Sequence, residues 1–131
     1  MDSSEIHSIA KKARSKAPIT TGNCDYISRK FVEIAVREYG YTRDEFSLHV
    51  VTVTHTETQK EFTGGHWIVE ICSEDLYVDL TVDQFNSSNK DYHSFALGSQ
   101  YNIPQVTLFS ELTETDAGLS YVIERTKQPY V

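Results

Sequence analysis

The hydrophobic pattern of the chain changes its period at Gly40, and this change restricts the fold more than any other feature. Before Gly40, apolar residues recur at intervals of three and four, which is the period of an amphipathic helix. After it, runs of β-branched and aromatic residues alternate with turn residues, as in strands. Helices followed by strands are typical of an α+β domain. We therefore predict a main N-terminal helix packed on an antiparallel sheet.

Two helices are predicted before Gly40. The first covers about Ser4 to Lys16, within an amphipathic N-terminal segment at residues 1–20. The second covers Cys24 to Tyr39, because the turn signal Gly22-Asn23 precedes it and Gly40 suits the position just after a helix. Cys24 begins the apolar stripe of the second helix, so its thiol is expected at the rim of the core.

The remainder of the chain predicts a sheet and one long connection. The predicted strands are Phe46–His55, His66–Cys72 and Leu76–Val82, with further strands at 106–109 and 119–125. Residues 86–105 are polar and irregular, which predicts a surface loop. A length of 131 residues suits one domain, so residues 1–131 are expected to form a single domain.

Charge limits the classes of partner. The chain has 12 basic and 19 acidic residues, a formal net charge of -7 and a pI near 5.1. Proteins that bind a phosphate backbone or an anionic membrane need a basic face. We therefore expect neither nucleic acid nor membrane as a partner, and the charge does not itself select one. Charge and composition make no prediction of the oligomeric state.

The N-terminus, the cysteine count and the histidine spacing bear on the cellular compartment and on bound metals or cofactors. The N-terminus lacks an apolar signal region, and no apolar run approaches the ~20 residues that span a bilayer. Two cysteines are too few for a disulfide scaffold, which favours a reducing, cytoplasmic setting, although a protein delivered into another cell would have the same pattern. The spacing of His49, His55 and His66 matches no metal motif. No metal and no cofactor is therefore predicted.

Three residues stand in an order that suits nucleophilic catalysis by a thiol. Cys24 begins the second helix, His66 opens a predicted strand, and Asp79 lies in the next strand. Helix N-termini and neighbouring imidazolium groups favour the thiolate form of a cysteine. A histidine can then carry the proton, and a carboxylate can fix the tautomer of the histidine.

Strand parity leaves the carboxylate open between two aspartates. A tight turn centred on Glu74-Asp75 would place Asp83 opposite His66 and leave Asp79 about four residues, or roughly 13 Å, away. A turn shifted toward Cys72-Ser73, or a bulge, would bring Asp79 to His66 instead.

The segments Gly65-His66-Trp67-Ile68-Val69-Glu70 and Val78-Asp79-Leu80-Thr81-Val82-Asp83-Gln84-Phe85 resemble those of papain-like and transglutaminase-like cysteine enzymes. In these families a histidine opens one strand, and an Asp-x-Thr motif ends the next. Small bacterial and viral relatives often continue into Gln-Phe. The resemblance covers about residues 20–85, roughly half of the chain.

The resemblance implies a role for each matching residue. Cys24 would be the nucleophile, His66 the base and Asp79 the residue that orients the base. Ala17-Pro18-Ile19 stands where papains carry their oxyanion glutamine. The oxyanion donors would therefore be the Cys24 N–H and the Asn23 amide, or a hydroxyl at position 20 or 21, and Thr81 and Gln84 would support the site.

The expected activity is that of a thiol-dependent amide hydrolase, either a cysteine peptidase or a protein glutamine deamidase, that forms an acyl-enzyme on Cys24. A transglutaminase-type acyl transferase shares the first half of this reaction. A catalytically inactive binding module on the same papain-like fold is the competing interpretation. Specificity is expected to come from the stretches 56–65 and 86–105.

Overall fold

The structure is a computed structural model that describes residues 1–19, 22–85, 97 and 101–129. These residues form two α-helices and one five-stranded antiparallel sheet, which confirms the α+β prediction. The helices are α1 (Ser3–Arg14) and α2 (Cys24–Tyr39), and the strands are β1 (Phe46–His55), β2 (Glu61–Ile71), β3 (Leu76–Asp79), β4 (Thr107–Phe109) and β5 (Leu119–Lys127). None of the helices in the described part of the chain is long and apolar enough to cross a membrane.

The helix boundaries have local causes. The Asp2 carboxylate accepts a hydrogen bond from the Glu5 backbone N–H at 2.8 Å, which satisfies a free donor in the first turn of α1. Gly40 ends α2 with a positive φ of 77°, a conformation that costs glycine little.

The sheet has the strand order β4-β3-β2-β1-β5, and its two faces bury different clusters. The first face packs against both helices through a cluster that includes Ile9, Ile27, Phe31, Leu48, Val69 and Val78. The opposite face carries a second cluster that includes Val53, Ile68, Phe85, Leu119 and Tyr121. Because side chains alternate along a strand, the ladder register places His66 and Asp79 on this second face.

Several predicted boundaries differ from those in the structure, including by one or two residues at the end of β2, the start of β4 and the end of β5. Helix α1 ends at Arg14 rather than at Lys16, and it occupies only part of the predicted segment 1–20. Strand β3 ends at Asp79, because residues 82–85 turn into a short 3₁₀ helix.

The predicted start of β2 at His66 is also wrong, because this strand already begins at Glu61 and runs through Gly64 and Gly65. The ladder with β1 shifts there, since Val51 pairs with His66 while Val53 pairs with Phe62. Gly65 has a φ of 86°, and a Cβ on Gly64 would come within 2.7 Å of the Phe62 ring. The two glycines therefore allow an irregular strand instead of ending it.

The surface loop expected at residues 86–105 stays a prediction, because most of that stretch lies outside the described residues. Leu97 and Ile103 are buried, at 4% and 7% exposure, and both belong to the second cluster. Apolar side chains within a polar stretch anchor it to the sheet. Residues 86–96 and 98–100 lie outside the described residues.

Candidate active site

The turn between β2 and β3 determines which carboxylate meets His66. Residues Cys72–Glu74 form a 3₁₀ turn, and Asp75 follows with a φ of 50°. This connection pairs Ile71 with Leu76 and Val69 with Val78. Continued along the strands, this register sets Asp79 diagonally across from His66, within side-chain reach.

His66 and Asp79 form a fully buried pair. The His66 Nε2 atom lies 2.8 Å from Asp79 Oδ2, and both side chains are 0% exposed. Burial lowers the pKa of His66, but the charge of Asp79, its hydrogen bond and the nearby Cys24 outweigh burial and raise that pKa to about 9. The imidazole is therefore mainly protonated at neutral pH, and it carries a proton that it can donate.

Two further donors serve the Asp79 carboxylate. The Thr81 backbone N–H donates to Oδ1 at 3.1 Å, and the Tyr121 hydroxyl donates to Oδ2 at 2.6 Å. A buried carboxylate is costly unless its oxygens accept hydrogen bonds. With the His66 ring these donors cover both carboxylate oxygens, so they stabilise the ionised form.

Asp83 does not contact His66, so the simple-turn alternative is wrong. Its carboxylate forms a bidentate ion pair with Arg14 of α1, with Nη1–Oδ1 and Nη2–Oδ2 distances of 2.9 and 2.7 Å. Arg14 Nη1 also donates to the carbonyl oxygens of Leu80 and Gln105, at 2.7 and 3.0 Å. Asp83 thus ties the segment after Asp79 to the first helix.

Cys24 is the first residue of α2 and lies at the surface end of the site. Its side chain is buried, with 6% exposed, and its thiol lies 3.8 Å from the Gly65 carbonyl oxygen. The thiol is also close enough to His66 for a hydrogen bond between them to help raise the pKa of the imidazole. Since Asp79 occupies Nε2, the ring nitrogen that remains for the thiol is Nδ1.

Gln84 also lies at the Nδ1 atom of His66. Its Nε2 atom is 2.6 Å from Nδ1, and the side chain is buried. A side-chain amide can donate to a neutral ring or, after a half-turn, accept from a protonated one. Gln84 can therefore satisfy Nδ1 in both protonation states.

The other two residues predicted to support the site, Asn23 and Thr81, each form a hydrogen bond that involves the backbone. Asn23 donates from Nδ2 to the Pro18 carbonyl oxygen at 2.9 Å, so this N–H fixes the approach to α2. Thr81 contributes its backbone N–H to Asp79, while its buried hydroxyl has no hydrogen-bond partner in the described part of the chain. The hydroxyls at positions 20 and 21 lie outside the described residues.

A cleft of about 240 Å³ opens onto the thiol. Its described lining residues are Gly22, Cys24, Asp25, Phe62, Gly64, Gly65 and Trp67. Asp25 is the charged residue among them, with a side chain that is 35% exposed and paired with Arg29 at 3.2 Å. Aromatic walls and side-chain-free glycines leave room for a narrow, extended group beside Cys24.

His49 and the second cysteine take part in separate contacts. His49 lies 2.7 Å from Glu70 and 2.8 Å from Thr126, and Cys72 lies 3.4 Å from the Ser47 hydroxyl. Both cysteines are free thiols. Among the residues that the structure describes, no group of three histidine, cysteine or acidic side chains could hold a metal ion.

Comparisons with family models, with curated proteins and with solved structures found no match.

Sequence patterns gave no signal for two residues of this region. Tyr121 reaches Asp79 from β5, and Arg14 reaches the following segment from α1. Both contacts join parts of the chain more than 40 residues apart, with separations of 42 and 69. Spacing along the sequence indicates neighbours within one element or one hairpin, so it cannot reveal such pairs.

The charge of Asp25 predicts a selectivity that can be measured without a substrate. We expect Asp25→Asn to raise the alkylation rate of Cys24 by iodoacetate, an anion, about three-fold relative to neutral iodoacetamide. Two charges about 4 Å apart in water interact by about 1 kcal/mol, and Arg29 offsets part of this. The measurement is the ratio of the two rates at low ionic strength.

Asp116→Asn is the control for this ratio, because Asp116 is exposed and lines a different cleft. Added salt should reduce the effect of Asp25→Asn by screening. An unchanged ratio in Asp25→Asn would show that this carboxylate does not act on the thiol.

Proposed function

We propose that the protein is a thiol-dependent amide hydrolase in which Cys24, His66 and Asp79 form the catalytic triad. The observation that carries the proposal is the fully buried His66–Asp79 pair, with the thiol of a helix-initiating cysteine beside the imidazole and a cleft open to that thiol. A buried ion pair is expensive to maintain, so its placement beside a nucleophile favours a chemical role.

In the proposed reaction the Cys24 thiolate attacks an amide carbonyl carbon, and the carbonyl π electrons move to oxygen. The tetrahedral adduct then expels the amine or ammonia, which takes the proton from His66 Nδ1. Water attacks the resulting thioester and gives a proton to Nδ1, and the thiolate leaves. Asp79 remains ionised throughout and holds the ring through Nε2.

The developing oxyanion needs donors near Cys24. The first N–H groups of a helix lack partners within the helix, which makes the Cys24 backbone N–H a candidate donor. The Gln84 amide, 2.6 Å from Nδ1, is the second candidate. Asn23 and Thr81 support the site indirectly, through the approach to α2 and through Asp79.

The substrate is proposed to be a protein or peptide amide, cleaved either in the main chain or at a glutamine side chain. A transglutaminase-type reaction would differ only in the second nucleophile, an amine in place of water. A thiolate nucleophile requires a reduced cysteine, which supports a cytoplasmic place of action.

A binding module without catalysis is the competing candidate. The observation that favours it is the complete burial of His66, whose two ring nitrogens are both hydrogen-bonded. In such a protein the pair would stabilise the fold, and Cys24 would be an ordinary buried thiol.

Alkylation of Cys24 by iodoacetamide separates the two candidates. An isolated thiol with a pKa of about 8.5 is about 1% ionised at pH 6.5. An enzyme-type pair should react about 100-fold faster than this at the same pH, and His66→Gln should remove the difference. Glutamine can still donate to Asp79, so this variant keeps the buried carboxylate paired.

Cys72 provides the internal control, because its rate should not change in His66→Gln. Peptide mapping after alkylation assigns the rate to each cysteine. A Cys24 that stays inert in the native protein until denaturant is added would refute the proposed function.

A further inference from the structure

Tyr121 is the part of this site that the proposed reaction does not yet use. It lies on β5, at the edge of the sheet, and is 1% exposed. Its hydroxyl donates to Asp79 Oδ2 at 2.6 Å, the same oxygen that faces His66 Nε2 at 2.8 Å. Its ring stacks on Phe109 with a centroid distance of 4.7 Å, which fixes the direction of the hydroxyl.

This contact acts unequally on the two protonation states of the His66–Asp79 pair. When His66 is protonated, the imidazolium compensates the charge of Asp79. When His66 is neutral, the buried carboxylate is uncompensated, and a hydrogen bond from Tyr121 is then worth more. The hydroxyl therefore favours release of the proton from the ring, and it also stabilises Asp79 against taking up that proton.

We propose that Tyr121 is a positioning residue of this site, which keeps Asp79 ionised and weakens the hold of the His66–Asp79 pair on its proton, so that His66 can deliver that proton at Nδ1. This inference rests on the proposed function and deepens it. A general acid works best when it does not bind its proton too tightly. Tyr121 thus joins Cys24, His66 and Asp79 as a fourth residue of the site.

The groups that surround the His66–Asp79 pair determine what else could change its titration. Among the described residues, the titratable side chains that contact it are Cys24 from α2 and Tyr121 from β5. Gln84 and the Thr81 backbone N–H are neutral. Burial and Asp79 raise the pKa of the Tyr121 hydroxyl well above its usual value, so it remains a donor throughout the working range.

The test is Tyr121→Phe, followed by NMR titration of the His66 ring and by the pH dependence of Cys24 alkylation. Loss of a hydrogen bond to a charged group corresponds to about one pKa unit. We expect the pKa of His66 to rise by about that amount. The step of the alkylation profile at which His66 loses its proton should move to higher pH with it.

Tyr77→Phe is the matched control. Tyr77 stacks on Phe109 at 5.8 Å, so it belongs to the same aromatic stack, but its contacts do not include Asp79. The proposal is supported if Tyr121→Phe shifts the titration upward and Tyr77→Phe does not. It is overturned if the two variants behave alike, or if Tyr121→Phe lowers the pKa of His66.

A second variant keeps the test decisive if Tyr121→Phe does not fold. Replacing Tyr121 with 3-fluorotyrosine retains the ring and hydroxyl and makes the hydroxyl a stronger donor, so the His66 titration should move to lower pH. An unchanged or upward titration contradicts the proposal. Reactivity of Cys24 in the parent protein tests the hydrolase function separately, so failure of either idea can be recognised.

Discussion

Asp79→Asn is expected to reduce the alkylation rate of Cys24 at pH 6.5 by about 100-fold. The charge of Asp79 and its hydrogen bond are the main causes that raise the pKa of His66. Without that charge, burial lowers the pKa of His66 and only the smaller effect of Cys24 opposes it, so we expect this pKa to fall below its usual 6.5. The imidazole is then neutral, and it no longer stabilises a thiolate.

The asparagine also conflicts with the donors that surround it. In the parent protein both oxygens of Asp79 accept, one from Thr81 and the other from His66 and Tyr121. An amide offers only one oxygen, so a donor is left facing an NH₂ group. An unsatisfied buried donor costs about 1–3 kcal/mol, and we expect a loss of stability in that range.

Urea unfolding followed by the fluorescence of Trp67, the single tryptophan, measures this loss alongside the alkylation rate. Asp116→Asn, at an exposed position, serves as the control and should change neither quantity. Retention of rapid alkylation by a folded Asp79→Asn protein would contradict the proposed role of the carboxylate.

Arg14→Ala is expected to lower the free energy of unfolding by about 3 kcal/mol. Its guanidinium holds Asp83 in a bidentate pair in which the two side chains are only 14% and 19% exposed. Removal of one partner from a buried ion pair leaves the other charge uncompensated. The carbonyl groups of Leu80 and Gln105 would also lose their donor.

Lys12→Ala is the matched control on the same helix. Lys12 pairs with Glu38 at 3.0 Å, but both side chains are about half exposed, and exposed ion pairs add little to stability. The urea midpoint should therefore fall strongly in Arg14→Ala and hardly in Lys12→Ala. Equal effects would show that Arg14 is an ordinary surface residue. A lower alkylation rate of Cys24 in folded Arg14→Ala would connect α1 to the site.

Local patterns predicted the elements that carry the site, and they failed where distant parts of the chain meet. The start of α2 at Cys24 follows from the turn before it and the stripe after it. The choice between Asp79 and Asp83 could not be made from the sequence. It depends on the backbone conformation of Asp75 and on the ion pair between Arg14 and Asp83. These are respectively a backbone conformation and a long-range contact.

The glycines before His66 illustrate the opposite error. Two adjacent glycines usually indicate a turn, so the strand was expected to begin after them. The ladder instead continues on both sides, and the irregularity brings the Gly65 carbonyl oxygen to the thiol. Whether glycines break a strand depends on a partner strand that the pattern does not specify.

The position of β5 has a consequence for the time at which the site is completed. During synthesis the chain emerges from its N-terminus, so Cys24, His66 and Asp79 are all made before Leu119–Lys127. Until β5 pairs with β1, Asp79 lacks the hydroxyl of Tyr121, and the cluster around it lacks Leu119. A nascent chain therefore contains every residue of the proposed triad before the enclosed environment around Asp79 has formed. Completion of the site therefore depends on β5, which is made after the other described strands.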